Sequence, residues 1–137
     1  MNGVVFWCAG EVEREVGEPI WTDFISTVRC GSASLVLALP SFERTVRIVR
    51  EHRLGMGEAD AIALAEQESL VLLSDDKRAR TVGKQLLASE RVTGSLGVLL
   101  ELKAQGILQP SSCATAYESM LAGGGFLPPL SSDFFYD

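Results

Sequence analysis

Gly57-Glu-Ala-Asp-Ala-Ile-Ala-Leu-Ala-Glu-Gln-Glu-Ser-Leu-Val-Leu-Leu-Ser-Asp-Asp-Lys-Arg-Ala-Arg80 is the stretch on which the fold turns. Gly55-Met-Gly57 breaks the chain, and Glu58 to Glu68 then reads as a strong helix. Leu70-Val-Leu-Leu73 follows, an unbroken apolar run that marks a strand buried on both faces of a parallel sheet. Asp75 or Asp76 caps the next helix, which runs to about Leu87. Arg91-Val-Thr93 is a short strand, and Ser95 opens a helix through Leu96, Leu99, Leu100 and Leu102 that stops at Gly106.

Upstream, Ser41 reads as the N-cap of a helix to about Arg53, with Phe42, Val46 and Val49 inward. Leu35–Leu39 is a strand ended by Pro40, and Val4–Trp7 is another. Glu11–Val16 and Ile20–Val28 read as short helices. Downstream, a helix covers about Ser112 to Leu121 before Gly123-Gly-Gly125, and Phe134-Phe-Tyr136 is apolar enough to dock. This alternation of helix and strand predicts an α/β fold, a parallel sheet flanked by helices. Neither an internal repeat nor a linker divides residues 1–137, so a single domain is expected, with its C-terminal helix and tail at about 110–137.

Composition narrows the function classes. Hydrophobic residues at 47% and charged residues at 22% are globular proportions. A formal charge of −6 and a pI near 4.8 offer no global attraction to nucleic acid or anionic lipid, so contact with RNA requires a local basic face. Cys8, Cys30 and Cys113 are widely spaced, without a Cys-x-x-Cys, and read as free thiols in a reducing cytoplasm. His52, the single histidine, has no His or Cys beside it to build a ligand set or a triad. No apolar run approaches the ~18 residues of a membrane span, and Met1–Trp7 lacks a signal peptide's basic start.

Two acidic pairs remain to be explained. Asp75 and Asp76 follow the strand at Leu70–Leu73, on the rim where ligands of parallel α/β sheets sit. Glu58 and Asp60 open the preceding helix, which runs antiparallel to that strand, so its N-terminus is expected near the same rim. Glu15 is a candidate third contributor. Carboxylates sharing one rim repel one another unless a cation intervenes, and Mg²⁺ or Mn²⁺ suits hard oxygen donors. An ion so held activates water and stabilises charge on a phosphate. The alternative is plain capping: acids in a first turn complement the helix dipole. Glu66 and Glu68, late in their helix, read as solvated surface.

Basic residues gather in two places. Arg44, Arg47, Arg50 and Arg53 recur every third residue as a drifting ridge on one helix. Lys77, Arg78, Arg80 and Lys84 stand beside the Asp pair. Either cluster suits a phosphate backbone, and either also suits a solvated face paired with Glu43, Glu51 and other acids. No interleaved aromatics suggest base stacking. Gly123-Gly-Gly-Phe126 lacks a Gly-Lys-Ser/Thr and is a helix stop rather than a phosphate loop.

Three blocks together resemble a known family. Gly57–Ala65, Leu72–Arg80 and Val92–Leu100 with Lys103-Ala-Gln-Gly-Ile107 look like PIN-like domains. More narrowly they resemble the bacterial and archaeal branch viewed as toxins related to the VapC ribonucleases, and Tyr117–Phe126 looks like that branch's C-terminal helix and Gly-Phe turn. The resemblance implies a Rossmann-like sheet and about four acidic residues binding Mg²⁺ or Mn²⁺ for RNA hydrolysis. By position, Asp60 with Glu58 matches the helix-start motif, Asp76 with Asp75 the acids after the late strand, and Glu15 the early glutamate. Lys77, Arg78, Arg80, Arg44, Arg47 and Arg50 would then hold RNA. An antitoxin protein and a homodimer are the implied partners, in the cytoplasm and without a membrane. The chain departs from the family in one respect: only Met1-Asn-Gly3 precedes Val4, whereas the family begins with a strand carrying an aspartate. The expectation is therefore an N-terminally truncated PIN-like domain. It is either a toxin-type nuclease with a late start site or a sheet completed from elsewhere, or a non-catalytic interaction module binding a partner or itself.

Overall fold

The computed structural model describes residues 5–10, 14, 17–18, 34–125 and 127–136. The readings for Glu11–Val16 and Ile20–Val28, and with them Glu15 and Cys30, fall outside these residues apart from Arg14. The chain divides into two compact units, Met1–Leu70 and Val71–Asp137.

In the first unit, β1 (Val5–Ala9) and β2 (Ser34–Ala38) pair in parallel, from Val5 opposite Ser34 to Ala9 opposite Ala38. Pro40 ends the strand run, and the Ser41 hydroxyl accepts from Arg44 N–H to start α1 (Phe42–His52). The helix closes at Arg53, whose φ of 55° lies in the left-handed region and whose N–H reaches Val49 O. A second helix, α2 (Met56–Glu68), carries the buried run Ala59, Ile62, Ala63, Leu64 and Ala65. The alanines in this run let α2 pack closely on both α1 and β1.

The face that α1 buries is not the apolar one read from the sequence. Thr45 and Ile48 are fully buried, whereas Phe42 is 73% exposed and Val46 and Val49 are half-buried. Thr45–Ile48 and Phe42–Val46–Val49 are stripes one residue apart, about 100° around a helix. The rotation is fixed by α2: Thr45 bonds Asp60, and Arg44 clamps Glu66.

In the second unit, β3 (Leu72–Leu73) pairs in parallel with β4 (Val92–Thr93), Leu72 opposite Val92. The strand is shorter than its apolar run, because Leu70 N–H still bonds back to Ala65 O at the end of α2. Nor is it buried on both faces: Leu72 is buried, but Val71 is 61% and Leu73 46% exposed. Helix α3 (Lys77–Leu86) covers the buried face. Gly83 makes that close approach feasible, since a Cβ there would lie 2.7 Å from Leu72 Cδ2 and 3.2 Å from Val92 Cγ2. A 3₁₀ turn, Ser89–Arg91, leads into β4.

Two more helices, α4 (Ser95–Ala104) and α5 (Pro110–Ala122), complete the second unit with a 3₁₀ turn at Phe134–Tyr136. Their core is Leu99, Cys113, Tyr117 and Phe135. The tail docks as expected: Phe135 is buried against Tyr117, and Phe134 meets it edge-on at 5.1 Å. Tyr117 OH donates to Pro128 O at 2.5 Å, which anchors the chain after the glycine-rich turn. Cys8 is half-buried and Cys113 buried, and neither is in a disulfide. Among the described residues, no helix is long and apolar enough to cross a membrane.

Candidate functional site

The first unit holds Glu58 and Asp60. Glu58 is the third residue of α2 after the N-cap Gly55, and its carboxylate folds back over that glycine. A Cβ at position 55 would lie 2.5 Å from Glu58 Oε2, so glycine leaves the carboxylate its room. Glu58 makes no hydrogen bond among the described residues, and it is half-buried at the positive end of the helix dipole. Asp60 lies beyond the first turn and cannot serve as a cap. It is only 8% exposed, and its Oδ1 accepts from Thr45 Oγ1 at 3.0 Å. The same hydroxyl lies 3.2 Å from Ser41 O, so one proton is shared between two acceptors. A carboxylate this buried costs stability unless something satisfies it.

The second unit holds Asp75 and Asp76 in the loop between β3 and α3. Asp76 is the N-cap of α3: its Oδ1 accepts from Ala79 N–H at 2.7 Å. Asp75 serves a different helix. Its Oδ1 accepts from Ser95 N–H at 2.7 Å and its Oδ2 from Ser95 Oγ at 2.5 Å, at the first residue of α4. Ser74 ties the loop to the sheet, its N–H donating to Thr93 O and its Oγ accepting from Asp76 N–H. Arg80 Nη1 donates to Ser74 O at 3.1 Å from the first turns of α3.

The basic residues divide by what they hold. Arg44 grips Glu66 through two parallel bonds, Nε to Oε1 at 2.8 Å and Nη2 to Oε2 at 3.0 Å. Glu66 is thus a half-buried partner joining α1 to α2, and not the solvated surface its position suggests. The hydrogen bond to Glu66 raises Arg44 above the usual guanidinium range against burial, which lowers it; the charges of Glu66 and Glu51 add to the rise. Arg47 makes a looser pair with Glu43 at 3.8 Å. Arg50 is exposed on the same outer face of α1, where an open groove of about 570 Å³ is lined by Phe42, Val46, Arg47 and Arg50 with Glu43 and Glu51. Lys77 and Arg78 are exposed in the first turn of α3, directly after Asp76.

Among the described residues, no three His, Cys, Asp or Glu side chains gather into a group able to hold a metal ion. Glu58 and Asp60 belong to the first unit and Asp75 and Asp76 to the second, and Glu15 lies outside the described residues. Two partners escape a reading by motif, Thr45 and Ser95. Ser95 is nonetheless legible from register: with Leu73 opposite Thr93, two further steps along parallel strands set Asp75 beside Ser95.

No curated protein and no solved structure matches the chain. The model of the DUF3368 family, described as a PIN domain, matches residues 9–131, nearly the whole sequence. The parallel pairing of both strand pairs, the helices between them and this match agree, and the chain belongs to the PIN-domain family.

Proposed function

We propose that this PIN domain is a metal-dependent ribonuclease of the toxin type, hydrolysing phosphodiester bonds in RNA. The observation that carries the reading is the family match over residues 9–131, because it spans the acidic helix start at Glu58 and Asp60 and the acidic loop at Asp75 and Asp76. Mg²⁺ or Mn²⁺ would be held by Asp60, Asp76, Glu58 and Glu15. The donors fit in kind: all are hard carboxylates, Asp76 Oδ2 makes no hydrogen bond among the described residues, and neither does Glu58. When bound, such an ion supplies Lewis-acid stabilisation of the charge that builds on the scissile phosphate.

The chain's own residues have separate tasks in this reading. Thr45 fixes the Asp60 carboxylate, and the α3 cap fixes Asp76 in one rotamer. Lys77 and Arg78, exposed beside Asp76, neutralise backbone phosphates, with Arg47 and Arg50 as a second basic strip. An antitoxin protein and a second copy of the chain are the implied partners. A reducing cytoplasm suits the three widely spaced cysteines of the sequence.

The test is Mn²⁺- or Mg²⁺-dependent cleavage of RNA by the full chain, beside Asp60→Asn and Asp76→Asn. The expected result is metal-dependent cleavage lost in both variants. Equal activity in all three, or none in the wild type, refutes the nuclease reading and leaves the non-catalytic interaction module.

A further inference from the structure

We infer that Asp75 is a positioning residue and not a metal ligand: with Ser95 it forms a clasp that locks the β3–α3 loop and presents Asp76 Oδ2. This rests on the nuclease reading, in which Asp76 holds the ion.

Of the four carboxylate oxygens that Asp75 and Asp76 bring to this loop, three are committed to protein donors. Both Asp75 oxygens accept from Ser95, and Asp76 Oδ1 accepts from Ala79 N–H. Only Asp76 Oδ2 makes no hydrogen bond among the described residues. Charge-assisted bonds at 2.5 and 2.7 Å are the strong kind, so an ion seated on Asp75 would compete with donors already in place. Asp75 is exposed at its surface, and nothing about burial forces this arrangement. It follows from register, which sets the end of β3 beside the start of α4.

The surrounding residues are shaped to the clasp. Gly94 has φ −122°, a conformation open to any residue, so glycine is there for space and not for flexibility. A Cβ at position 94 would lie 3.0 Å from Asp75 Oδ1 and 3.2 Å from the Ser74 carbonyl oxygen. Arg80 Nη1 lies 3.6 Å from that Cβ while it donates to Ser74 O. Ser74 N–H on Thr93 O and Ser74 Oγ on Asp76 N–H complete the lock. Every residue from Ser74 to Asp76 is thereby tied to α3, β4 or α4. Asp75 contributes the bonds to α4.

The experiment uses the full chain and four variants: Ser95→Ala, which removes only the hydroxyl donor, Ser95→Thr, which retains one, Asp75→Asn and Asp76→Asn. Mn²⁺ alone is titrated by calorimetry, and amide hydrogen exchange is followed at Asp76, Ala79 and Ser95. Ser95→Ala and Asp75→Asn are expected to speed exchange in the loop and to weaken Mn²⁺ binding, each by about tenfold, the lower end of what partners that orient a ligand are worth. Ser95→Thr restores both, and Asp76→Asn abolishes Mn²⁺ binding while leaving Ser95 protected. Ser95→Ala with wild-type exchange and affinity, alongside Asp75→Asn without binding, makes Asp75 a ligand and overturns the inference. A wild type that binds no Mn²⁺ refutes the ribonuclease reading instead. In that case the exchange measurements still decide the clasp: an unchanged loop in Ser95→Ala refutes it.

Discussion

Replacing Thr45 with valine isolates the buried one of the polar contacts that orient α1 on α2. Thr45 is fully buried, and its hydroxyl donates to Asp60 Oδ1 at 3.0 Å. Valine keeps the shape and removes that donor. Losing a hydrogen bond to a charged group costs about 1.5–3 kcal/mol. Asp60 is only 8% exposed, so water replaces little of the lost bond. The added methyl returns roughly 0.8 kcal/mol of apolar burial. The net loss is about 1–2 kcal/mol, and for 137 residues at about 2 cal/mol/K each it lowers Tm by roughly 3–7 °C. Thermal denaturation followed by circular dichroism reads it. Pairing Thr45→Val with Asp60→Asn closes a cycle whose coupling should be about 1 kcal/mol, since the two side chains share the contact. A Tm unchanged or raised by Thr45→Val, or additive behaviour in the cycle, would show that the hydroxyl does not support Asp60.

Other perturbations have equally definite outcomes. Arg44→Lys retains the charge but loses the two-pronged grip on Glu66; both side chains are partly exposed, so urea denaturation should show a loss of only about 0.5–1 kcal/mol, largely abolished in a Glu66→Gln background. Gly83→Ala gains about 1 kcal/mol of helix propensity but drives a Cβ against Leu72 and Val92; overpacking at about 1–3 kcal/mol outweighs it, and chemical denaturation should show net destabilisation of the order of 1 kcal/mol. Tyr117→Phe removes the donor to Pro128 O and should lower stability by about 1 kcal/mol, with faster amide exchange through residues 127–130 as the local signature.

The elements that the sequence reveals are those fixed by local rules. Ser41 and Asp76 cap helices because short acceptors before a helical run have few other uses, and the helices beginning at Phe42 and Lys77 follow from them. The parallel pairing of β3 with β4 follows from apolar runs separated by a helix. What escapes is set between elements. The apolar stripe Phe42–Val46–Val49 is the most hydrophobic face of α1, yet the helix turns Thr45 inward because α2 offers Asp60 there. Glu66 looks like a solvated acid on α2 alone and becomes a half-buried partner once Arg44 lies across from it. Neither pairing leaves a trace in the periodicity of one helix. The Asp75–Ser95 contact lies between these extremes, since strand register predicts it once the strands are paired.

Capping and metal binding, which compete when the acids are read from spacing, are not alternatives for every residue. A carboxylate has two oxygens, and an N-cap needs one. Asp76 gives Oδ1 to Ala79 N–H, which fixes its rotamer and leaves Oδ2 unbonded among the described residues. The cap thus removes part of the ordering entropy a ligand would otherwise lose on binding. Asp75 spends both oxygens on the start of α4, so its acidity is accounted for without an ion. Glu58 sits in a first turn, where the helix dipole alone is a sufficient reason for a carboxylate. Asp60 has no such reason. It lies past the first turn, is buried, and shares with Ser41 O the single proton of Thr45. Its structural role is the contact between α1 and α2, in which the bond from Thr45 helps to offset the cost of desolvating the carboxylate. Asparagine keeps an oxygen to accept from Thr45 and removes the charge, so in the nuclease reading Asp60→Asn should leave the metal-free chain folded and remove its response to Mn²⁺.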